Sequence, residues 1–218
     1  VIARLFPPSV AVSVATPDFY DRFPYPAEAA LVGAAIAARR AEFAAGRNAA
    51  RAALAQLDVA ACPIPRGAHG EPLWPDGFTG SITHCRGFCG AVAARRKQVS
   101  ALGLDAELAD PLDEKLARRL CRPEELAAFQ TEGDRDPGAW AKLAFSAKEA
   151  CFKALYALNG AMPAFPEISL RFAAARGGDA GSFTASLVQN GAETALRRLS
   201  GRWLAEDSFV FTGVAIMP

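Results

Sequence analysis

The apolar positions of this chain follow two rhythms, and the shifts between them mark out its elements. Over Ala101 to Leu108 (ALGLDAEL) they alternate: Leu102, Leu104 and Ala106 point one way, Asp105 and Glu107 the other, which predicts a strand. Over Phe145 to Leu155 (FSAKEACFKAL) helix formers run without Gly or Pro, and Phe145, Glu149, Phe152 and Lys153 share one broad stripe. That helix is expected to end at Asn159-Gly160. Val10 to Ala15 alternates weakly like a strand, and the Pro-rich FPYP at Phe23 to Pro26 reads as a connector. Ala27 to Leu57, rich in Ala, Leu and Arg, predicts one long helix or two in series, with a break near Gly46. Cys62 to Gly80 is dense in Pro and Gly and predicts an ordered irregular loop, followed by a strand, turn and strand over Gly80 to Arg95. Pro111 to Gln130 reads as helical, with Pro123 opening its second helix, and TEGDRDPGAW as a loop into the FSAKE helix. ISLRF, SFTASLVQ, GRWLAE and SFVFTGVAIM, separated by turns, predict an antiparallel meander.

Composition narrows the class without naming a chemistry. At 218 residues and 51% hydrophobic, the chain can bury one large core or two small ones. Its 24 Lys and Arg against 23 Asp and Glu leave no global field for nucleic acid or an anionic membrane, so any basic site must be local. The uncharged run Ala29 to Ala38 is too short to span a bilayer, and prolines stand where a signal peptide would have its apolar core, so the expectation is a cytoplasmic protein. Five cysteines with no C-x-x-C pair fit reduced thiols, and adjacent His84 and Cys85 would face opposite sides of a strand rather than share a zinc ion.

Two acidic elements carry the candidate chemistry. Asp105 and Glu107, roughly 7 Å apart along a strand, repel each other unless solvated or bridged by a cation, and Mg²⁺ is the natural oxygen-bound occupant. Glu149 and Lys153 form either an ordinary surface ion pair of ~0.3 to 0.5 kcal/mol or part of a site. Arg40 and Arg47 lie almost in line on the first long helix, with Arg51 one turn on, as a solvated face or a phosphate site. His84, near the turn of the predicted hairpin, is either structural or catalytic.

In this order, GEPLWPDG, GSITHC, LGLDAE and FSAKEACFKAL resemble the 4'-phosphopantetheinyl transferases, of the surfactin and enterobactin-synthase type and nearest the actinobacterial single-chain branch. The similarity runs from about Arg39 to about Leu158. It implies an α/β (α+β) pseudo-twofold fold of two similar halves, each with a small antiparallel-rich sheet and a long helix. The halves would be 1–104 and 105–218, meeting at the active site. The implied reaction moves 4'-phosphopantetheine from coenzyme A to a serine of an apo acyl or peptidyl carrier protein and releases adenosine 3',5'-bisphosphate. The implied cofactor is Mg²⁺, with Mn²⁺ as a substitute, and the implied state is a monomer serving polyketide, peptide or siderophore assembly. By resemblance, Asp105, Ala106 (through its backbone), Glu107 and Glu149 are the metal residues, and Glu149, His84 and Lys153 the catalytic ones. Coenzyme A falls to Arg40, Arg47, His69, Gly70, Glu71, Pro72, Thr83, His84, Lys148 and Lys153. Two departures stand out: His69, Gly70 and Glu71 occupy the place where relatives carry Lys or Arg, and Phe145 replaces Trp. The alternative reading is a catalytically silent binding module for coenzyme A or carrier protein, and no Walker-type loop supports a different phosphate-handling enzyme.

Overall fold

Two sheets, each with a long helix laid across it, hold most of the chain. They are seen in a computed structural model that describes residues 1–131, 135–174, 178–189, 192–193 and 198–218. The first sheet is antiparallel in the order β1-β3-β2, from β1 (Ala11–Val14), β2 (Phe78–Cys85) and β3 (Phe88–Arg95). A short helix α1 (Pro26–Leu31) precedes α2 (Ala37–Ala55), whose Ala49, Ala50, Ala53 and Leu54 pack on Ala91 and Ala93 of β3. The expected break near Gly46 does not occur, because the helix is interrupted earlier, at residues 32–36, and runs straight through Gly46. Gly46 serves packing instead: a Cβ there would lie 2.9 Å from Ile82 Cγ2 of β2.

The second sheet has the order β4-β9-β8-β6-β5, all antiparallel, from β4 (Ala101–Leu108), β5 (Ile168–Ala174), β6 (Ala180–Gln189), β8 (Leu199–Glu206) and β9 (Phe209–Ile216). The short β7 (Ala192–Glu193) pairs with β6. The C-terminal meander is thus as the alternation predicts, with β4 added along its last strand. Between β4 and β5 come α3 (Glu114–Leu120), α4 (Pro123–Phe129) and α5 (Pro137–Asn159). Pro123 opens α4 as expected. The helix α5 starts earlier than its sequence suggests: Pro137 fills the first helical position, and the Asp136 carboxylate accepts from the Gly138 and Ala139 amides. Residues 132–134 of the expected loop lie outside the described residues. Gly160, at φ 74°, ends α5 in the left-handed conformation that favours glycine.

Among the described residues no backbone ladder joins the two sheets. Hydroxyls of β2 do so instead, because Ser81 Oγ accepts the Leu104 amide at 3.0 Å and Thr83 Oγ1 accepts the Ala106 amide at 3.1 Å. These amides lie on the edge of β4 away from β9, where they would otherwise be buried without partners. One face of β4 (Leu102, Leu104, Ala106) packs with Ile2, Leu5, Val92 and Phe211. The other, carrying Gly103, Asp105 and Glu107, lies beneath α5. A Cβ on Gly103 would sit 1.8 Å from the Ala150 carbonyl oxygen, so only glycine lets the helix come this close. No helix among the described residues is long and apolar enough to cross a membrane.

Gly103→Ala is therefore expected to destabilise the protein by about 1–3 kcal/mol or more, as overpacking against rigid backbone does. A denaturant-unfolding series on the two purified proteins measures this, and an unchanged midpoint would contradict the packing described.

Candidate active site at the junction of the two sheets

Asp105 is the most enclosed of the three candidate metal acids, at 4% exposure. Its Oδ1 accepts from Lys153 Nζ at 2.7 Å and from the Thr83 hydroxyl at 3.4 Å, while Oδ2 is buried with no hydrogen-bond partner. Lys153 also donates to the Leu104 carbonyl at 3.1 Å. It therefore leaves its helical neighbour Glu149 and reaches across to the strand, where a buried partner outweighs a half-buried one. Glu107 and Glu149 are half-buried, with Lys142 Nζ 3.7 Å from Glu107. Burial pushes the carboxyls of Glu107 and Glu149 above their ordinary range, and the charge of Asp105 adds to the rise in both.

No three Asp, Glu, His or Cys side chains among the described residues form a closed cage. Mg²⁺ needs none, since it keeps several waters and binds through one or two carboxylates. The orphaned Oδ2 of Asp105 and two carboxyls raised by burial form an oxygen donor set short of positive charge, and a hard divalent cation fits it. The Ala106 amide is taken by Thr83, and strand geometry puts its carbonyl on the same open edge.

On the other side of β2, Arg39 Nη1 lies 2.6 Å from His84 Nε2. A guanidinium can only donate, so Nε2 accepts and the imidazole is neutral in this arrangement. Burial lowers the His84 pKa, and Arg39 and Lys153 lower it further against the opposing charge of Glu42. Arg40 turns away, donating to the Gly33 carbonyl at 3.2 Å with its guanidinium over the Phe23 ring. Arg47 is buried, with Nε on the Ile64 carbonyl at 2.8 Å and its guanidinium 4.4 Å from the Phe43 ring centroid. Burial pulls the Arg47 pKa down to about 10, and the positive charges of Arg51, Arg39 and Arg66 add to the fall. Arg51 is neutralised by Glu28 at 2.6 Å, as a structural pair.

Beside Lys153 lies a cleft of about 490 Å³, bounded by His69 to Trp74, by Gly80, Ser81 and Ile82 of β2, and by Phe152, Lys153, Tyr156 and Ala157 of α5. Arg96 and Met162 complete it. The loop is ordered, as expected: the His69 ring stands edge-on to Tyr156 at 6.0 Å, and Trp74 packs on Gly80. Of the residues marked in the sequence, Asp105, Glu107, Glu149, Lys153 and Thr83 come together, and His84 with the His69 to Pro72 loop flanks them. Lys148 does not join them. Its side chain is fully buried, with Nζ 2.7 Å from Glu125 Oε2, since neighbouring helical residues diverge by about 100°. Three cations escaped the sequence reading: Arg39, Arg66 and Lys142. The position of Lys142, two helical turns before Glu149, was a usable signal.

The junction of this mixed α/β fold thus holds a carboxylate cluster on one side of β2 and, on the other, His84 with Arg39, whose guanidinium also pairs with Glu42 at 3.5 Å. Comparison with known proteins gives the family. The 4'-phosphopantetheinyl transferase N-terminal domain profile matches residues 27–94, and that of the 4'-phosphopantetheinyl transferase superfamily matches residues 101–206. The chain is 42% identical to 4'-phosphopantetheinyl transferase Svp of Streptomyces mobaraensis over 88% of its own length and 78% of the relative's. It is 35% identical to PptT of Mycobacterium tuberculosis over 99% and 98% of the two chains. Enterobactin synthase component D of Salmonella typhi is 39% identical over 53% of this chain and 48% of its own. The protein belongs to the 4'-phosphopantetheinyl transferase superfamily, enzymes that transfer phosphopantetheine from coenzyme A to carrier proteins.

A carboxyl whose folded pKa is raised adds stability below its ordinary value of 4.5, and that stability is lost as pH rises through the folded value. Metal-free Glu149→Gln should therefore melt higher than metal-free wild type at pH 7 to 8, with the gap closing toward pH 4.5. Added Mg²⁺ should raise the wild-type melting temperature but not the variant's. Differential scanning calorimetry across this range checks both signs.

Proposed function

We propose that Asp105, Glu107 and Glu149 hold a divalent cation, Mg²⁺ or Mn²⁺ in its place, and that Glu149 accepts the proton of the carrier serine during transfer. The observation that carries this reading is the buried, unpartnered Oδ2 of Asp105 beneath α5, with Lys153 on the other oxygen of the same carboxylate. When bound, the cation supplies neutralisation of the pyrophosphate and of the leaving adenosine 3',5'-bisphosphate. Lys153 and His84 hold phosphate oxygens from opposite sides of the strand. With a phosphate in place of the Arg39 contact, His84 gains an anion that favours its protonated, donating form. Thr83 keeps Asp105 and the Ala106 amide in place rather than binding coenzyme A directly. The cleft lined by His69 to Pro72, Phe152 and Tyr156 takes the remainder of coenzyme A.

Arg39, and not Arg40, supplies the first helical guanidinium for the phosphates, supported by its contact with His84. Arg47 commits only Nε to the protein, and together with Arg66 it forms a cationic cluster suited to the 3'-phosphate. Arg66 then supplies the charge that His69 was expected to replace. The carrier docks over α3 and α4, where Leu116 is 37% exposed, while Leu120 and Leu126 are half-buried against the core. The catalytic unit is the single chain, with one half on either side of the junction. A silent binding module would leave the carboxylate cluster idle, and no observation favours it.

Intact-protein mass spectrometry of an apo carrier protein incubated with this protein, coenzyme A and Mg²⁺ tests the reading. A gain of one phosphopantetheine that disappears with EDTA, and with Glu149→Gln or Asp105→Ala, is the expected result. Undiminished transfer by either folded variant would sink the assignment. In the same assay Arg39→Ala and Arg66→Ala should raise KM for coenzyme A roughly ten- to hundredfold, the loss of a charged hydrogen bond of about 1.5–3 kcal/mol. Arg40→Ala should leave KM nearly unchanged, and the opposite ranking would restore Arg40 to the site.

A further inference from the structure

The fully buried ion pair between Lys148 and Glu125 lies outside the cleft, yet it is attached to the residue next to Glu149. Lys148 Nζ donates to Glu125 Oε2 at 2.7 Å and to the Leu120 carbonyl at 3.0 Å. Glu125 Oε2 also accepts the Arg122 amide at 2.7 Å, and Oε1 accepts the Leu170 amide at 2.8 Å. One carboxylate and one ammonium thus tie together the end of α3, the start of α4, the edge strand β5 and the middle of α5. Side-chain exposure is 0% for Lys148 and 3% for Glu125.

A buried pair of this kind is weak evidence for stability, because desolvating both charges offsets most of their attraction; its best-attested use is to fix register. Here it adds to the polar anchors that α5 makes through Ser146 with Thr212 and through Lys153 with Asp105. Beside the larger Trp140, Leu143 and Leu155, the helix buries Ala141, Ala144, Ala147, Ala150 and Ala154, all five at 0% exposure. An alanine surface permits the close approach at Gly103 but presents shallow ridges, and shallow ridges hold rotation and sliding poorly. Glu149 is one residue on from Lys148, about 100° around the helix. Anchoring Lys148 on the side of α4 and β5 therefore sets the direction in which Glu149 leaves the helix.

We propose that Lys148 and Glu125 are a positioning pair that sets the rotation of α5, and so the place of Glu149 against Asp105 and Glu107, and that Lys148 takes no part in binding coenzyme A. This inference rests on the reading of Glu149 as a metal and proton-accepting residue. Wild-type transfer and its EDTA sensitivity test that reading separately.

The experiment compares wild type, Lys148→Met, Glu125→Gln and the double variant Lys148→Met/Glu125→Leu. Each is assayed for transfer kinetics, for Mn²⁺ and coenzyme A affinity by calorimetry, and for melting temperature. In both single variants kcat should fall at least tenfold and Mn²⁺ affinity several-fold, while the Kd for coenzyme A measured without metal stays within twofold of wild type. The double variant, with no charge left unpaired, should regain the melting temperature lost by Lys148→Met while its kcat and Mn²⁺ affinity stay low. If kcat and Mn²⁺ affinity match wild type in the folded variants, the pair only stabilises the fold and the proposal is overturned. A tenfold weaker coenzyme A affinity in Lys148→Met would also overturn it, placing Lys148 in the cleft. Should Lys148→Met fail to fold, the double variant decides: full rate and Mn²⁺ affinity there refute the proposal, and their loss in a folded protein supports it.

Discussion

The absence of a side chain at Gly103 governs the geometry of the site. Any Cβ there would occupy the space of the Ala150 carbonyl, so α5 could not lie where it does on β4. At this closeness Lys153 reaches both the Leu104 carbonyl and Asp105 Oδ1, and Glu149 comes near enough for the charge of Asp105 to raise its pKa. The hydroxyl seam completes the arrangement from the other side. Because Ser81 and Thr83, rather than backbone groups, satisfy the edge of β4, the two sheets meet without sharing a hydrogen-bond ladder. Each sheet can then keep its own twist, which a shared ladder would propagate across the junction.

Thr83 and His84 show how a strand connects the two poles. Successive residues of β2 face opposite ways. Thr83 accordingly turns inward to Asp105 and the Ala106 amide, and His84 turns outward to Arg39. The carboxylates and the cations are thereby held on either side of one rigid strand. They do not pair across it: Asp105 takes Lys153 on its own side, and Arg39 takes Glu42 at 3.5 Å on the other.

The elements of this fold were legible wherever a hydrophobic rhythm marked them. The strand over 101–108, the hairpin of β2 and β3, and the meander strands all follow alternation that packing then enforces. Punctuation misled where a residue had two physical uses. Gly46 reads as a helix break but provides close contact with Ile82, and Asp136-Pro137 reads as loop but caps and opens α5. At the site the types of residue were legible and some of the partners were not. Arg39 and Arg40 are identical in kind and adjacent, and only the packing of α2 on β2 decides which one meets His84. The same holds for Lys148 and Glu149, where the partner that fixes the outcome, Glu125, lies on a different helix. Local spacing predicted a Glu149–Lys153 pair, but tertiary contact offered Lys153 the more enclosed Asp105.

That exchange of partners also bears on how Lys153 would coexist with the proposed cation. A lysine beside a metal acid could act as a lock, holding the carboxylate until metal displaces it. Here Lys153 binds Oδ1 and is held there by its second bond to the Leu104 carbonyl, leaving Oδ2 without a partner. A cation on Oδ2 would leave both of those hydrogen bonds in place, with the ammonium still free to offer its third proton to a phosphate oxygen. Under the proposed metal site, the arrangement of donors around this single carboxylate would let one acid orient a lysine and serve a cation at once, which a pair between Glu149 and Lys153 would not do.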